Sequence, residues 1–154
     1  VALLAARGAG VEVPEQTVNR AISYLKRCAQ DDGGFSYISA PGGGFSKGGL
    51  PRSAAAMAGI LLADVDDPQM IDKGRQFLIN NARTAKPGDP HFFYGQYYLS
   101  IAFPKAGDRQ FRRWYRLMHV KLIDAQAADG SWPDKMVGPE YGTANACIVL
   151  LSPK

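Results

Sequence analysis

Along this chain, stretches that are amphipathic at helical spacing alternate with stretches that are apolar on every side, and few architectures accommodate that order. Val18, Ala21, Ile22, Leu25 and Ala29 fall on one helical face. They predict a helix from about Pro14 to Ala29, with proline at the first position, where no N–H is needed. Pro51 opens a second helix through Leu62 that is apolar all round and so must be covered on every side. Asp67-Pro68 reads as cap and first residue of a third, with Met70, Ile71, Gly74, Phe77 and Leu78 on its apolar side and Asp72, Lys73 and Arg75 on its polar side. Pro87-Gly88-Asp89-Pro90 breaks the chain before an aromatic-rich apolar helix from about Phe92 to Phe103. A fifth helix, capped by Asp108, runs to about Gln126 with Phe111, Tyr115, Met118 and Leu122 on its apolar face, and Thr143 to Leu151 is a last apolar helix.

This order predicts an all-α fold in two layers. Amphipathic helices form an outer layer with one face in water, and all-round apolar helices form an inner layer beneath them. The repeating unit is a helix pair of roughly fifty residues, giving units at about 14–64, 67–103 and 108–151 in one domain spanning 1–154. Two segments carry a shared ending. Gln30-Asp31-Asp32-Gly33-Gly34-Phe35 follows one amphipathic stretch, and Gln126-Ala127-Ala128-Asp129-Gly130-Ser131-Trp132 follows another. The motif positions are Gln30, Gly34 and Phe35 in the first and Gln126, Gly130 and Trp132 in the second. Their glycine is expected in the left-handed conformation that stops a helix, the aromatic packed back over the turn, and the glutamine bonded to backbone groups at the helix end.

These residues resemble a known family. Arg20 to Leu25, followed by Gln30 and Gly33-Gly34-Phe35, looks like a protein prenyltransferase β-subunit repeat, and Gln126 to Trp132 has the Gln-x-x-x-Gly-x-Trp form of the squalene/hopene cyclase repeat. Lys73-Gly74-Arg75-Gln76-Phe77-Leu78 matches the front half of that cyclase motif without its glutamine and glycine–tryptophan. The resemblance implies an α/α toroid. This chain supplies about three helix pairs, an arc rather than a closed ring unless more chain or another copy completes it. The chain opens Val1-Ala2-Leu3-Leu4 with no initiator methionine, as if inside a helix, and reads as part of a longer protein, so its compartment stays open.

The family's chemistry is not carried by the matching positions. Asp64-Val65-Asp66-Asp67 spells the Asp-x-Asp-Asp of class II terpene cyclases, making Asp66 the one catalytic candidate. Pro68 follows it, however, so the local grammar is a turn, a cap and a helix start. Where prenyltransferases hold zinc, Leu50 to Ala54 offers neither acid nor thiol, and Tyr94 stands where their histidine belongs, with His91 about one turn away. No metal or cofactor is expected. Gly42 to Gly49 is too poor a match to a phosphate loop, since no glycine precedes Lys47 and no Ser or Thr follows it. Cys28 and Cys147 share no metal spacing and read as small buried hydrophobes.

Two clusters remain. Tyr94, Tyr97 and Tyr98, with His91, are candidates for the wall of a ligand cavity, since an inner helix must turn some side chains toward the toroid centre. The alternative is ordinary core packing. Arg109, Arg112, Arg113 and Arg116 form a basic stripe that could meet a partner surface or simply be solvated. The net charge of +4 does not call for nucleic acid, and no apolar run reaches transmembrane length. The expectation is a binding or scaffold module without an intact catalytic motif. It would take an apolar or isoprenoid ligand, or a protein partner or second copy that completes the toroid. The alternative is part of a terpene cyclase or prenyltransferase that binds an isoprenoid at the toroid centre. A third reading, a polysaccharide-active toroid, would need a convergent pair of carboxylates that the sequence does not display.

Overall fold

The computed structural model describes residues 1–38, 48–106 and 108–152, with backbone alone at 105, 106 and 108. Among these the chain forms seven helices and no strand: α1 (Ala2–Gly8), α2 (Glu15–Cys28), α3 (Leu50–Leu62), α4 (Pro68–Thr84), α5 (Phe92–Ala106), α6 (Asp108–Asp124) and α7 (Pro139–Leu150). Most of the glycine-rich stretch around Lys47 lies outside the described residues.

Two rows of helices build the molecule. The apolar helices α3, α5 and α7 lie side by side with α5 in the middle; α2 packs on α3, α4 on α3 and α6, and α6 on α5 and α7. The apolar row starts at one end. Gly95 near the start of α5 backs onto Pro51 at the start of α3, where a Cβ would stand 3.3 Å from the proline Cα. Tyr141 at the start of α7 acts electrostatically on Tyr94. The amphipathic helices α4 and α6 also run together: Lys121 near the end of α6 donates to the carbonyls of Ala82, Arg83 and Ala85 at the end of α4. That ammonium satisfies carbonyls that a helix end leaves unpaired.

The core lies between the rows. Met57 and Ile60 of α3, Leu78 and Ile79 of α4, Leu99 and Phe103 of α5 and Trp114, Met118 and Leu122 of α6 are buried. Each such side chain contributes about 1.5–3 kcal/mol. Gly74 lets α4 sit this close, because a Cβ there would reach 2.4 Å from the Met57 sulfur. Trp114, absent from the periodic apolar set read for this helix, is fully buried. Its Nε1 donates to Gln96 Oε1 at 2.9 Å.

Three expectations need correction. First, α7 starts at Pro139, not at Thr143. Its first turn includes Gly142, which reads as a breaker but is required there, since a Cβ would come within 2.0 Å of the Trp132 carbonyl oxygen. Second, the apolar helices are not all covered: α7 leaves Ala144, Cys147 and Ile148 exposed, since nothing among the described residues packs on that side. Cys147 is therefore not a buried hydrophobe, whereas Cys28 is.

Third, the paired endings are one turn, but with a different register. Gln30 N donates to Gly34 O and Gly33 N to Gln30 O; Ala127 N donates to Ser131 O and Gly130 N to Ala127 O. Asp32 Oδ1 accepts from Gly34 N at 2.8 Å, as Asp129 Oδ1 does from Ser131 N at 3.0 Å. Phe35 N reaches Ser53 Oγ as Trp132 N reaches Thr143 Oγ1. Gly33, not Gly34, therefore matches Gly130, at φ +87° and +86°. Gln30 matches Ala127, and the two glutamines are not equivalent. Gln30 Oε1 accepts from Gly48 N, and Gln126 Nε2 donates to Gly130 O of its own turn. At the end of α6 it is Trp132 whose Nε1 donates to a helix carbonyl, Leu122 O at 2.7 Å. The helices themselves end before these glycines, at Cys28 and Asp124.

A second repetition has a spacing of 54 residues (9 to 63). The exit from α1 bonds Ala9 N to Ala5 O and Val11 N to Ala6 O; the exit from α3 bonds Ala63 N to Gly59 O and Val65 N to Ile60 O. Gly10 and Asp64 both take positive φ. Pro14, expected as the first helical residue, is instead the cap of α2, whereas Pro68 opens α4; α1 itself ends in the same way as a helix of the apolar row.

Candidate functional site

Phe92 and Phe93, buried edge-to-face with centroids 5.2 Å apart, fix the rotation of α5. That rotation turns Tyr94 outward and leaves Tyr97 and Tyr98 half-buried. Tyr94 and Tyr98 lie 4.8 Å apart between ring centroids, and Tyr97 meets Tyr98 edge-on at 5.0 Å. His91 precedes the helix at φ +59°, with its carbonyl accepting from Gly95 N at 2.9 Å. A non-glycine residue held there costs about 1–2 kcal/mol.

Two further elements bring partners to these tyrosines. The Phe35–Ser53 bond ties the chain leaving the first turn to the start of α3, which brings Tyr37 beside Arg52. The Arg52 guanidinium lies over the Tyr37 ring at 5.9 Å, within cation–π range. Tyr37, Pro51, Arg52, Pro90, His91 and Tyr94 line an open hollow of about 410 Å³. Through Tyr37, Arg52 and Tyr94 it continues into a groove of about 330 Å³ along Ala55, Ala56 and Gly59 of α3 toward Leu25.

The electrostatics are those of neutral hydroxyls beside a cation. Burial, then the neighbouring Tyr98, Tyr141 and Tyr37, pushes the Tyr94 hydroxyl above the ordinary tyrosine value. Burial, Asp134 and Tyr98 do the same to Tyr141. Both are therefore protonated donors at neutral pH. Among the described residues no carboxylate lines the hollow or the groove. The arrangement offers aromatic faces, hydroxyl donors and one guanidinium, which suits holding a ligand with an apolar body and a polar or anionic end.

The other sequence candidates lie elsewhere. Asp66 is exposed in the connection after α3, at the end opposite the hollow and about 18 Å along the helix axis. Its neighbours have structural duties. Asp67 caps α4 by accepting from Met70 N at 3.2 Å and pairs with Lys26 at 3.3 Å, while Asp64 sits at the left-handed exit of α3. Arg109, Arg112, Arg113 and Arg116 are exposed on α6, away from its buried Phe111 and Trp114. Tyr98 lines the groove and not the hollow, and Tyr97 lines neither. Among the described residues no group of three or more His, Cys, Asp or Glu could hold a metal ion, and no helix is long and apolar enough to cross a membrane.

Sequence reasoning missed Tyr37, Arg52 and Tyr141. Arg52 had a readable signal, as the single charge in an otherwise apolar helix. The two tyrosines come from a loop and a neighbouring helix and join the site only through packing. No family model matches this chain, and neither a curated protein nor a solved structure does.

Proposed function

We propose that this chain is an arc of a prenyltransferase/squalene-cyclase-like α/α toroid that works as a binding module. Its hollow and the groove that continues it take an apolar or isoprenoid ligand on the faces of Tyr37, Tyr94 and Tyr98, with the ligand's polar or anionic end at Arg52 and His91. The observation that carries this reading is the meeting of Arg52 with Tyr37 and Tyr94 in one open hollow that no carboxylate lines among the described residues. Two rows of helices and a recurring turn support the toroid part. A catalytic reading has less support, because cyclase chemistry needs an acid at the pocket and Asp66 is a helix length away.

Calorimetric titration with farnesyl diphosphate and with farnesol tests it. Saturable binding is expected, weakened about tenfold by Tyr94→Ala through the loss of one aromatic face. Arg52→Ala should weaken the diphosphate more than the alcohol. Absence of saturable binding for both compounds, or binding indifferent to both substitutions, would contradict the proposal. Turnover of either compound that Asp66→Asn abolishes would support the enzyme instead.

A further inference from the structure

We infer that α6 docks this chain on the surface of a bilayer rich in anionic phospholipid, through the face it turns away from the core. The inference does not rest on the ligand hollow. Phe111, Trp114, Met118 and Leu122 fix the buried side of α6. With about 3.6 residues per turn, Arg109, Arg113, Arg116, Val120 and Ile123 lie on the opposite side, within about 50° of its centre. All five are exposed. The neighbouring helices are held at the flanks instead: Lys121 reaches the end of α4, and the Tyr115 hydroxyl donates to Leu150 O at the end of α7. The stripe is therefore the broad outer side of the helix and not an edge of either row.

Helix stability does not account for the stripe. Arg109 and Arg113 stand at i, i+4 and Arg113 and Arg116 at i, i+3, the spacings at which like charges repel. Arg109 also lies in the first turn, where the helix dipole favours acids. These three arginines make no ion pair among the described residues, and Asp72 of the adjacent α4 is already paired with Arg75 at 3.3 Å. The counter-charge therefore has to come from a partner. Guanidinium forks match phosphate oxygens two at a time. Val120 and Ile123, 58% and 50% exposed, continue the same line with aliphatic side chains. Single-stranded nucleic acid is held by aromatic faces beside the cations, and this line has none. Aliphatic side chains beside arginines suit the boundary between phospholipid headgroups and acyl chains. From 109 to 123 the line runs about 21 Å, so α6 can lie flat with its arginines on phosphates and both aliphatic side chains at that boundary.

Cosedimentation with vesicles tests this. The wild-type chain should bind vesicles of phosphatidylcholine and phosphatidylserine in equal parts and leave pure phosphatidylcholine vesicles alone. About 1 M sodium chloride, which screens charges beyond about 3 Å, should release it. Arg113→Gln/Arg116→Gln should weaken binding at least about tenfold. Arg7→Gln/Lys135→Gln removes the same charge from α1 and from the connection before α7, and should weaken it less than about threefold. Val120→Ser/Ile123→Ser should keep the preference for phosphatidylserine and weaken binding about threefold or more. All these side chains are exposed, and the Arg113/Arg116 variant should melt no lower than the wild type, since repulsion along the helix is relieved. No binding, equal binding to both kinds of vesicle, equal losses from the two charge variants or a lowered melting temperature of the Arg113/Arg116 variant overturns the inference. So does tighter binding to a single-stranded oligonucleotide than to the mixed vesicles at equal phosphate concentration, which would make the stripe a nucleic-acid surface.

Discussion

Gly33 and Gly130 share a backbone conformation yet predict different costs on substitution. Both sit near φ +86°, where alanine is strained by about 1–2 kcal/mol. A Cβ at Gly130 would meet nothing nearer than Gln126 Nε2 at 3.9 Å, an ordinary contact, so Gly130→Ala should cost only that. At Gly33 a Cβ would stand 2.2 Å from the Lys73 carbonyl oxygen, so the turn cannot remain against α4. Gly33→Ala should therefore lose at least about 2 kcal/mol more than Gly130→Ala in urea unfolding, and equal losses would refute the close approach. Asp64 offers the opposite sign. It holds φ +49° where the matching residue is Gly10, so Asp64→Gly should stabilise by up to about 1 kcal/mol in the same measurement. The tyrosine hydroxyls give a pH signature. Tyr94 and Tyr141 ionise above the ordinary value of 10.0 in the folded chain. Their contribution to stability is complete below pH 10 and is lost as pH rises through the higher folded values. Tyr94→Phe should make stability fall less steeply above pH 10, which alkaline melting curves would show.

At the scale of elements, a helix start was legible where its chemistry is local, and hidden where it serves a distant contact. Asp67-Pro68 marks α4 in sequence because cap and proline are local chemistry, and the structure places the Asp67 carboxylate on Met70 N. The start of α7 was hidden because Gly142 serves a contact with Trp132, which no local pattern reveals. The turn motif was recognisable as a repetition, but its register was set by hydrogen bonds, and composition alone paired the wrong glutamine and the wrong glycine. Lys121 is a similar case. In sequence it is one more cation near a helix end, yet it holds the end of a different helix through three carbonyls. Lys121→Met keeps the stem and removes the ammonium. It should cost about 1–2 kcal/mol of unfolding free energy and raise amide exchange at the end of α4 before the rest of the helix.

For the whole molecule, the alternation of amphipathic and apolar stretches leads to two rows of helices, because only a covering row lets apolar helices leave water. The candidate site was half visible: Tyr94 and His91 by their place on an apolar helix, Arg52 and Tyr37 only once α3 and the first turn were packed together. Asp66 carried a suggestive motif and has a different address, in the connection between rows. These placements make the ligand hollow and the acid connection separable in one experiment. Assigned amide and tyrosine-ring resonances of the isotope-labelled chain, followed during titration with farnesyl diphosphate, test the binding proposal most directly. The predicted result is saturable shifts confined to Tyr37, Arg52, His91, Tyr94 and Tyr98, with Asp64 to Asp67 unmoved. Shifts centred on Asp64 to Asp67, or no saturable shifts at all, would contradict it.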